Sequence, residues 1–436
     1  MKDTKNNDRS RWMMAVGFMA ALYIFWRYAN PCALAYHEQM QLFLWNGDYL
    51  MDRLAEPGGV ARYLAEMLVQ CYNNLPLGAL LLALLMCGLQ RITWLLMRRM
   101  GCKDGMRCYL LSFLPPIVMW AIMGDKDVMT TVPMALLLTE AMLLLMPSNI
   151  FSVWRPAIIY LLLLLTLGYW LVGPMAIWAA VGLVVYALCR QKDKLNWAMG
   201  LVAVLVVGLF VQLDSARMLP YPKARVFRGI DYLRDPTAFF PHEWYASDVY
   251  EQMEYSMLVR RQDWHAILDK AAKKAPMATA SEAAVKLAQW KTGALSDEGM
   301  RQFMASYGKL DHPINICMKS DLFFHLGLVN ASRRYAFEFK QLIANGNQSG
   351  RMLKRLAETE LVSGHEQLAR KYLYILHDAT FYRQWAEDVL PLTRSVKLLD
   401  AHPLYGPLSH SFPEKDVMYV SAILQAESLF TRVEKL

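Results

Sequence analysis

The strongest constraint on this 436-residue chain is where its charge is missing. Residues 1–213 carry 17 Lys+Arg and 12 Asp+Glu, with long uncharged runs between them, whereas residues 214–436 carry 29 and 26. A helix rising 1.5 Å per residue needs about 20 apolar residues to cross a bilayer, somewhat fewer if its flanks dip into the interface. Seven stretches are candidates: Trp12–Tyr28, Leu75–Met97, Cys108–Met123, Thr131–Met146, Ala157–Val172, Pro174–Cys189 and Trp197–Leu213. Pro115-Pro116 interrupts the third, and Gly173-Pro174 supplies a tight turn inside the apolar run 157–189. This pattern excludes a single soluble domain, a disordered polyelectrolyte and a nucleic-acid binder led by charge. The expected fold is all-α. A seven-span bundle over residues 1–213 leads to a segment rich in aromatics and prolines over 214–262, then to a helical-hairpin domain over 263–436.

Lys and Arg beside a span resist translocation, which orients the bundle. With the N-terminus inside, the cytoplasmic positives are Lys2, Lys5, Arg9, Arg11, Arg91, Arg98, Arg99, Lys103, Arg107, Arg155, Arg190, Lys192 and Lys194. The outer loops and their edges keep Arg27, Arg53, Arg62 and Lys126. An odd number of spans then predicts that residues 214–436 lie outside the cytoplasm. Arg27-Tyr28-Ala29-Asn30-Pro31 offers no small-residue cleavage site after the first span, so that span reads as an uncleaved anchor.

The outer loops are uneven. Asn30–Asn74 is long, and long loops with their own structure tend to be functional. It reads as two amphipathic helices broken at Glu56-Pro57-Gly58-Gly59. Leu42, Phe43, Tyr49, Leu50 and Leu54 form an apolar face before the break, and Val60, Tyr63, Leu64 and Leu68 form one after it. The polar sides offer His37, Glu38, Asp48, Asp52 and Glu66. The next outer loop reads Gly124-Asp125-Lys126-Asp127. Its oxygen ligands Asp125 and Asp127 suit Mg²⁺ or Mn²⁺, and Lys126, Arg53 and Arg62 suit a phosphate head group. A plain solvated turn is the alternative. Glu140 lies midway along the fourth span, where an acid serves either function or packing. Cys32 and Cys71 stand at the two ends of the first outer loop, as a disulfide or as two thiols.

In the second half, Tyr221-Pro222, Phe239-Phe240-Pro241, Trp244, Tyr245, Tyr250 and Tyr255 are expected to pack on the membrane half or line its mouth. Beyond Asp263 the pattern is helical hairpins. Leu328, Val329, Ala336 and Phe339 recur 33 residues later as Leu361, Val362, Ala369 and Tyr372, near the period of a tetratricopeptide repeat. The histidines, His312 and His325 among them, show no ligand spacing.

Two resemblances follow from these features. The layout of residues 12–213 resembles the shared module of the GT-C superfamily, glycosyltransferases that use polyprenyl-phosphate-linked sugars. That resemblance implies an extracytoplasmic enzyme in which Glu38 is the first-loop acid, with Asp48 and Asp52 in reserve, and in which Asp125 and Asp127 form the second acidic site. The chain departs from that superfamily in having His37-Glu38 where an Asp or Asp-Glu is usual, and in lacking further spans. More narrowly, "YHEQMQLFLWNGDYLMDRLAEPGGVARYLAEML" and "LKRLAETELVSGHEQLARKYLYILHDATFYRQWAED" resemble a family of bacterial multi-pass membrane proteins of unknown function along the whole chain. Members of that family continue past the position of Leu436, which implies a shortened end. Three functions stay open: a GT-C-type transferase, a non-catalytic envelope scaffold whose helical domain binds a partner protein, and a transporter or flippase component built on Glu140.

Overall fold

The chain divides into two units. The computed structural model describes residues 2–146, 154–190, 194–229, 247–306, 313–343 and 346–410. Phe239, Phe240, Pro241, Trp244, Tyr245, Lys192 and His312 lie outside the described residues. Every regular element among the described residues is helical. Met1–His37 and Asn46–Trp244 form one unit, and Glu38–Trp45 together with Tyr245–Leu436 form the other.

In the first unit, three helices are long and apolar enough to cross a membrane: Asp8–Ala29, Leu75–Arg99 and Leu195–Met218. Leu75–Arg99 is the central one. It packs against the N-terminal helix Lys2–Ile24 and against Thr131–Leu145, whereas Leu195–Met218 leaves Val202, Leu205, Val206, Leu209 and Phe210 exposed. A helix apolar all round is what lipid contact selects.

The other four expected spans are shorter: Met106–Ile122, Thr131–Leu145, Pro156–Val172 and Met175–Cys189. Of the seven expected spans, three are thus long enough to count as candidates, and the other four are short helices close to their expected bounds. A 15-residue helix such as Thr131–Leu145 is about 22 Å long, short of the ~30 Å hydrocarbon core. The third stretch is two helices, Met106–Leu111 and Leu114–Ile122. Pro115 and Pro116 sit in the first turn of the second, where a missing N–H costs nothing. Gly173 adopts φ +72° and turns the chain between Tyr169–Val172 and Met175–Arg190, as expected.

The second unit is a succession of helices from Ser247–Arg261 to Val396–Ala401. Pro313–His325 pairs with Val329–Leu342 across Gly327, and Gly350–Val362 pairs with Glu366–His377 across Gly364. Hairpins were expected, but not this register. Leu328 and Val329 follow their turn, whereas Leu361 and Val362 precede theirs. The 33-residue recurrence therefore matches buried positions without marking a structural repeat of that period.

Eight residues of the first outer loop belong to this second unit. Leu42 enters its core beside Val329, Phe339, Leu353 and Leu356, with Met40 and Leu44 packed on the same cluster. The Leu42 amide donates to the Gln348 carbonyl (2.9 Å) and the Trp45 amide to the Asp378 carbonyl (2.9 Å). Residues 41–45 have no regular secondary structure, so Leu42 and Phe43 do not continue an amphipathic helix into Tyr49 and Leu54 as expected.

Candidate functional site

The remainder of the first loop folds as a helical hairpin, Gly47–Leu54 and Gly59–Val69, split at the predicted place. The Asn46 side chain caps the first helix by accepting from the Tyr49 amide (2.8 Å). Gly58 takes φ +80°, and a Cβ on Gly59 would fall 1.9 Å from the Arg53 carbonyl oxygen, so the turn needs glycine at both positions.

This hairpin gathers a chain of charges out of solvent. Glu66 is fully buried between two arginines, accepting from Arg53 Nε (2.7 Å) and Arg62 Nε (3.1 Å). Arg62 also reaches Glu56 (2.6 Å), Tyr221 donates to Glu56 (2.9 Å), and the Tyr49 hydroxyl donates to Glu66 (2.5 Å). Burial and the adjacent Glu66 raise the Tyr49 pKa well above the usual phenol value. Burial alone would lower the Arg53 pKa, but Glu66 more than compensates and it rises. Arg53 and Arg62, expected to bind a head group, are engaged with carboxylates of their own hairpin, while Asp48 and Asp52 lie on its exposed face.

In the second outer loop, Asp125 and Lys126 are buried while the Asp127 side chain is nearly half exposed. The Asp127 amide donates to Asp125 Oδ1 (3.0 Å), a local turn of the kind aspartate favours, and Lys126 Nζ lies 3.3 Å from Asp127. Among the described residues, no three His, Cys, Asp or Glu side chains come together as a cation cage would require. Glu140 accepts a 2.7 Å hydrogen bond from Thr93 on the central helix, a bond between helices inside the bundle.

Glu38 sits elsewhere, inside the second unit. Arg260 Nη1 donates to its Oε2 (2.5 Å), and Tyr382 donates to its Oε1 (3.0 Å). Arg260 also reaches the Tyr382 hydroxyl (2.7 Å). Burial would lower the Arg260 pKa, but the Glu38 carboxylate beside it raises it strongly. The next residue, Gln39, accepts from Arg351 Nη1 (2.8 Å), which also reaches Ser256 (2.9 Å) and pairs with Asp321. Arg355 holds the other Asp321 oxygen at 2.7 Å. Burial would raise the Asp321 pKa, yet Arg351 and Arg355 hold it far below the usual carboxylate range. His325 lies partly buried beside these groups, its pKa pulled to about 3 by burial and by Arg355.

Glu38 thus belongs to one unit and Asp125, Lys126 and Asp127 to the other. Arg260, Asp321, Arg351 and Tyr382 escaped the sequence reading, since nothing local marks an arginine whose partner lies 222 residues away. Of the two alternatives for Cys32 and Cys71, the structure has two thiols and no disulfide. Cys32 is buried and donates to Asn30 Oδ1 (3.2 Å), and Cys71 points at the Met67 carbonyl. Cys102 and Cys108 are joined instead.

A model of a family of unknown function, DUF6057, matches residues 7–433. The chain belongs to that family. The whole-chain resemblance seen in the sequence is therefore its own family, and DUF6057 assigns it no chemistry. No curated protein and no solved structure matches the chain.

Proposed function

We propose that this DUF6057 protein is an envelope scaffold of the bacterial inner membrane, with a helical unit that binds a partner protein. In this reading the four shorter apolar helices join the three long ones within the bundle. An odd number of spans, three or seven, carries residues 245–436 to the side opposite the N-terminus, and the basic flanks favour a cytoplasmic N-terminus.

One observation carries the reading. Glu38, the acid best suited by position to activate an acceptor hydroxyl, has both oxygens occupied by Arg260 and Tyr382 and is 4% exposed. A general base must reach the proton it removes. Glu38 instead fastens a loop segment into the helical unit. That unit has a groove of about 460 Å³ lined by Tyr374, Leu390 and Leu398 together with His377, Glu387 and Arg394, with Tyr374 and Leu398 half exposed, a mixed apolar and charged surface open to a partner protein.

The gathering of Asp125, Lys126 and Asp127 in one turn favours a second reading, a GT-C-like glycosyltransferase that takes a polyprenyl-phosphate-linked sugar with or without Mg²⁺ or Mn²⁺. Alanine at Asp125 and Asp127 distinguishes the two. The scaffold predicts unchanged surface glycans, and a photo-crosslinker at Tyr374 trapping one discrete envelope protein. Loss of a glycan at normal membrane levels would establish the transferase instead.

A further inference from the structure

We propose that the cavity at the Arg99 end of the membrane unit binds an anionic phospholipid, an acyl chain filling the cavity and the phosphate meeting Arg99. The cavity is about 260 Å³ and lies between the ends of helices Leu75–Arg99, Thr131–Leu145 and Met175–Arg190. Leu96, Leu143 and Leu183 wall it. Gly182 faces it without filling it: a Cβ there would meet nothing within 4 Å. Its lining is mainly apolar and leaves these side chains without packing partners on one side, so an apolar guest is its natural occupant.

The polar groups stand at one rim. Arg99 is exposed and donates to the carbonyls of Leu144 and Met146, the open C-terminal end of its neighbouring helix. Tyr186 donates to the Met100 carbonyl (3.0 Å). Two carbonyls use two of the five guanidinium N–H groups, leaving others for phosphate oxygens. Among the described residues Arg99 forms no ion pair, whereas its neighbour Arg98 lies 3.5 Å from Asp104. An uncompensated cation beside an apolar slot at a helix end complements an anionic lipid, not a zwitterionic one.

The inference rests on the bundle placement of the shorter helices. Release of the protein from membranes without detergent would refute that placement, whereas the lipid comparison addresses the site. Full-length protein is compared in nanodiscs of phosphatidylcholine with and without phosphatidylglycerol, and in detergent with inorganic phosphate. Phosphatidylglycerol should raise the Tm and co-purify with the protein, while inorganic phosphate should do neither. Arg99→Gln should weaken phosphatidylglycerol retention about fivefold, as expected for one basic residue at an anionic surface. Gly182→Leu should fill the cavity and abolish retention while keeping the Tm in phosphatidylcholine. Leu143→Phe serves if that variant folds poorly. Equal retention of both lipids, retention unchanged by the substitutions, or a Tm rise with phosphate alone would overturn the proposal.

Discussion

The two units bury their charges in different ways. In the membrane unit, Glu66 is neutralised by arginines from its own helical hairpin, 4 and 13 residues away in sequence. In the helical unit, Glu38 is held by partners 222 and 344 residues away, and Gln39 by one 312 residues away. The first arrangement completes one supersecondary element. The second closes a very long loop, so its contacts carry a large entropic cost that the finished core must offset. A local network stiffens a part, whereas a distant one decides which segments share a unit.

Substitutions can separate these roles. Glu66→Ala leaves Arg53 and Arg62 buried without their shared carboxylate and should cost about 3–5 kcal/mol. Thermal unfolding of the full chain in detergent should show the loss in the membrane unit alone. Arg351→Ala removes the partner of Gln39 and Ser256 while Arg355 keeps Asp321 paired, so about 3 kcal/mol is expected, at the lower end for a broken buried pair. That loss should appear in the helical unit.

Both units also contain a histidine held in its neutral form, His37 buried and His325 partly buried. Burial lowers the His37 pKa to about 4, below the ordinary value of about 6.5. The unfolded chain therefore takes up the proton first. The stability that His37 contributes is complete above about pH 6.5 and is lost as the pH falls through about 4, amounting to about 3 kcal/mol. His325 should act the same way in its own unit, with loss continuing to about pH 3. Denaturant midpoints between about pH 3 and 7, the window from the lowered to the ordinary histidine pKa, should flatten in His37→Gln for one unit and in His325→Gln for the other. Glu140→Gln is expected to have the smallest effect, under about 1 kcal/mol, because an amide still accepts from Thr93 and bonds between membrane helices contribute little. Any loss of transport on that substitution would revive the transporter reading.

The same contrast explains what could be read in advance. The hairpin break at Pro57-Gly58-Gly59, the Gly173-Pro174 turn and the all-helical class follow from residues next to one another. The Pro115-Pro116 interruption and the bounds of the shorter apolar helices were legible in the same way, because a proline pair opens a new helix rather than continuing an old one. The loop helix drawn through Leu42 and Phe43 failed because Leu42, with Met40 and Leu44, is claimed by a core assembled from residues after 313. Glu38 was noticed as an acid in a suggestive place, but its partners Arg260 and Tyr382 carry no local signal. The 33-residue recurrence tracked burial on successive hairpins and missed their turns.

Amide hydrogen exchange on the intact protein tests the central claim most directly, that residues 38–45 are built into the helical unit. The Leu42 and Trp45 amides bond to the carbonyls of Gln348 and Asp378, so a peptide covering them should exchange slowly in the unsubstituted chain. In Arg351→Ala that peptide should exchange faster while residues 59–69 keep their protection. Fast exchange at 41–45 in the unsubstituted protein would contradict the account, as would protection there that Arg351→Ala leaves untouched.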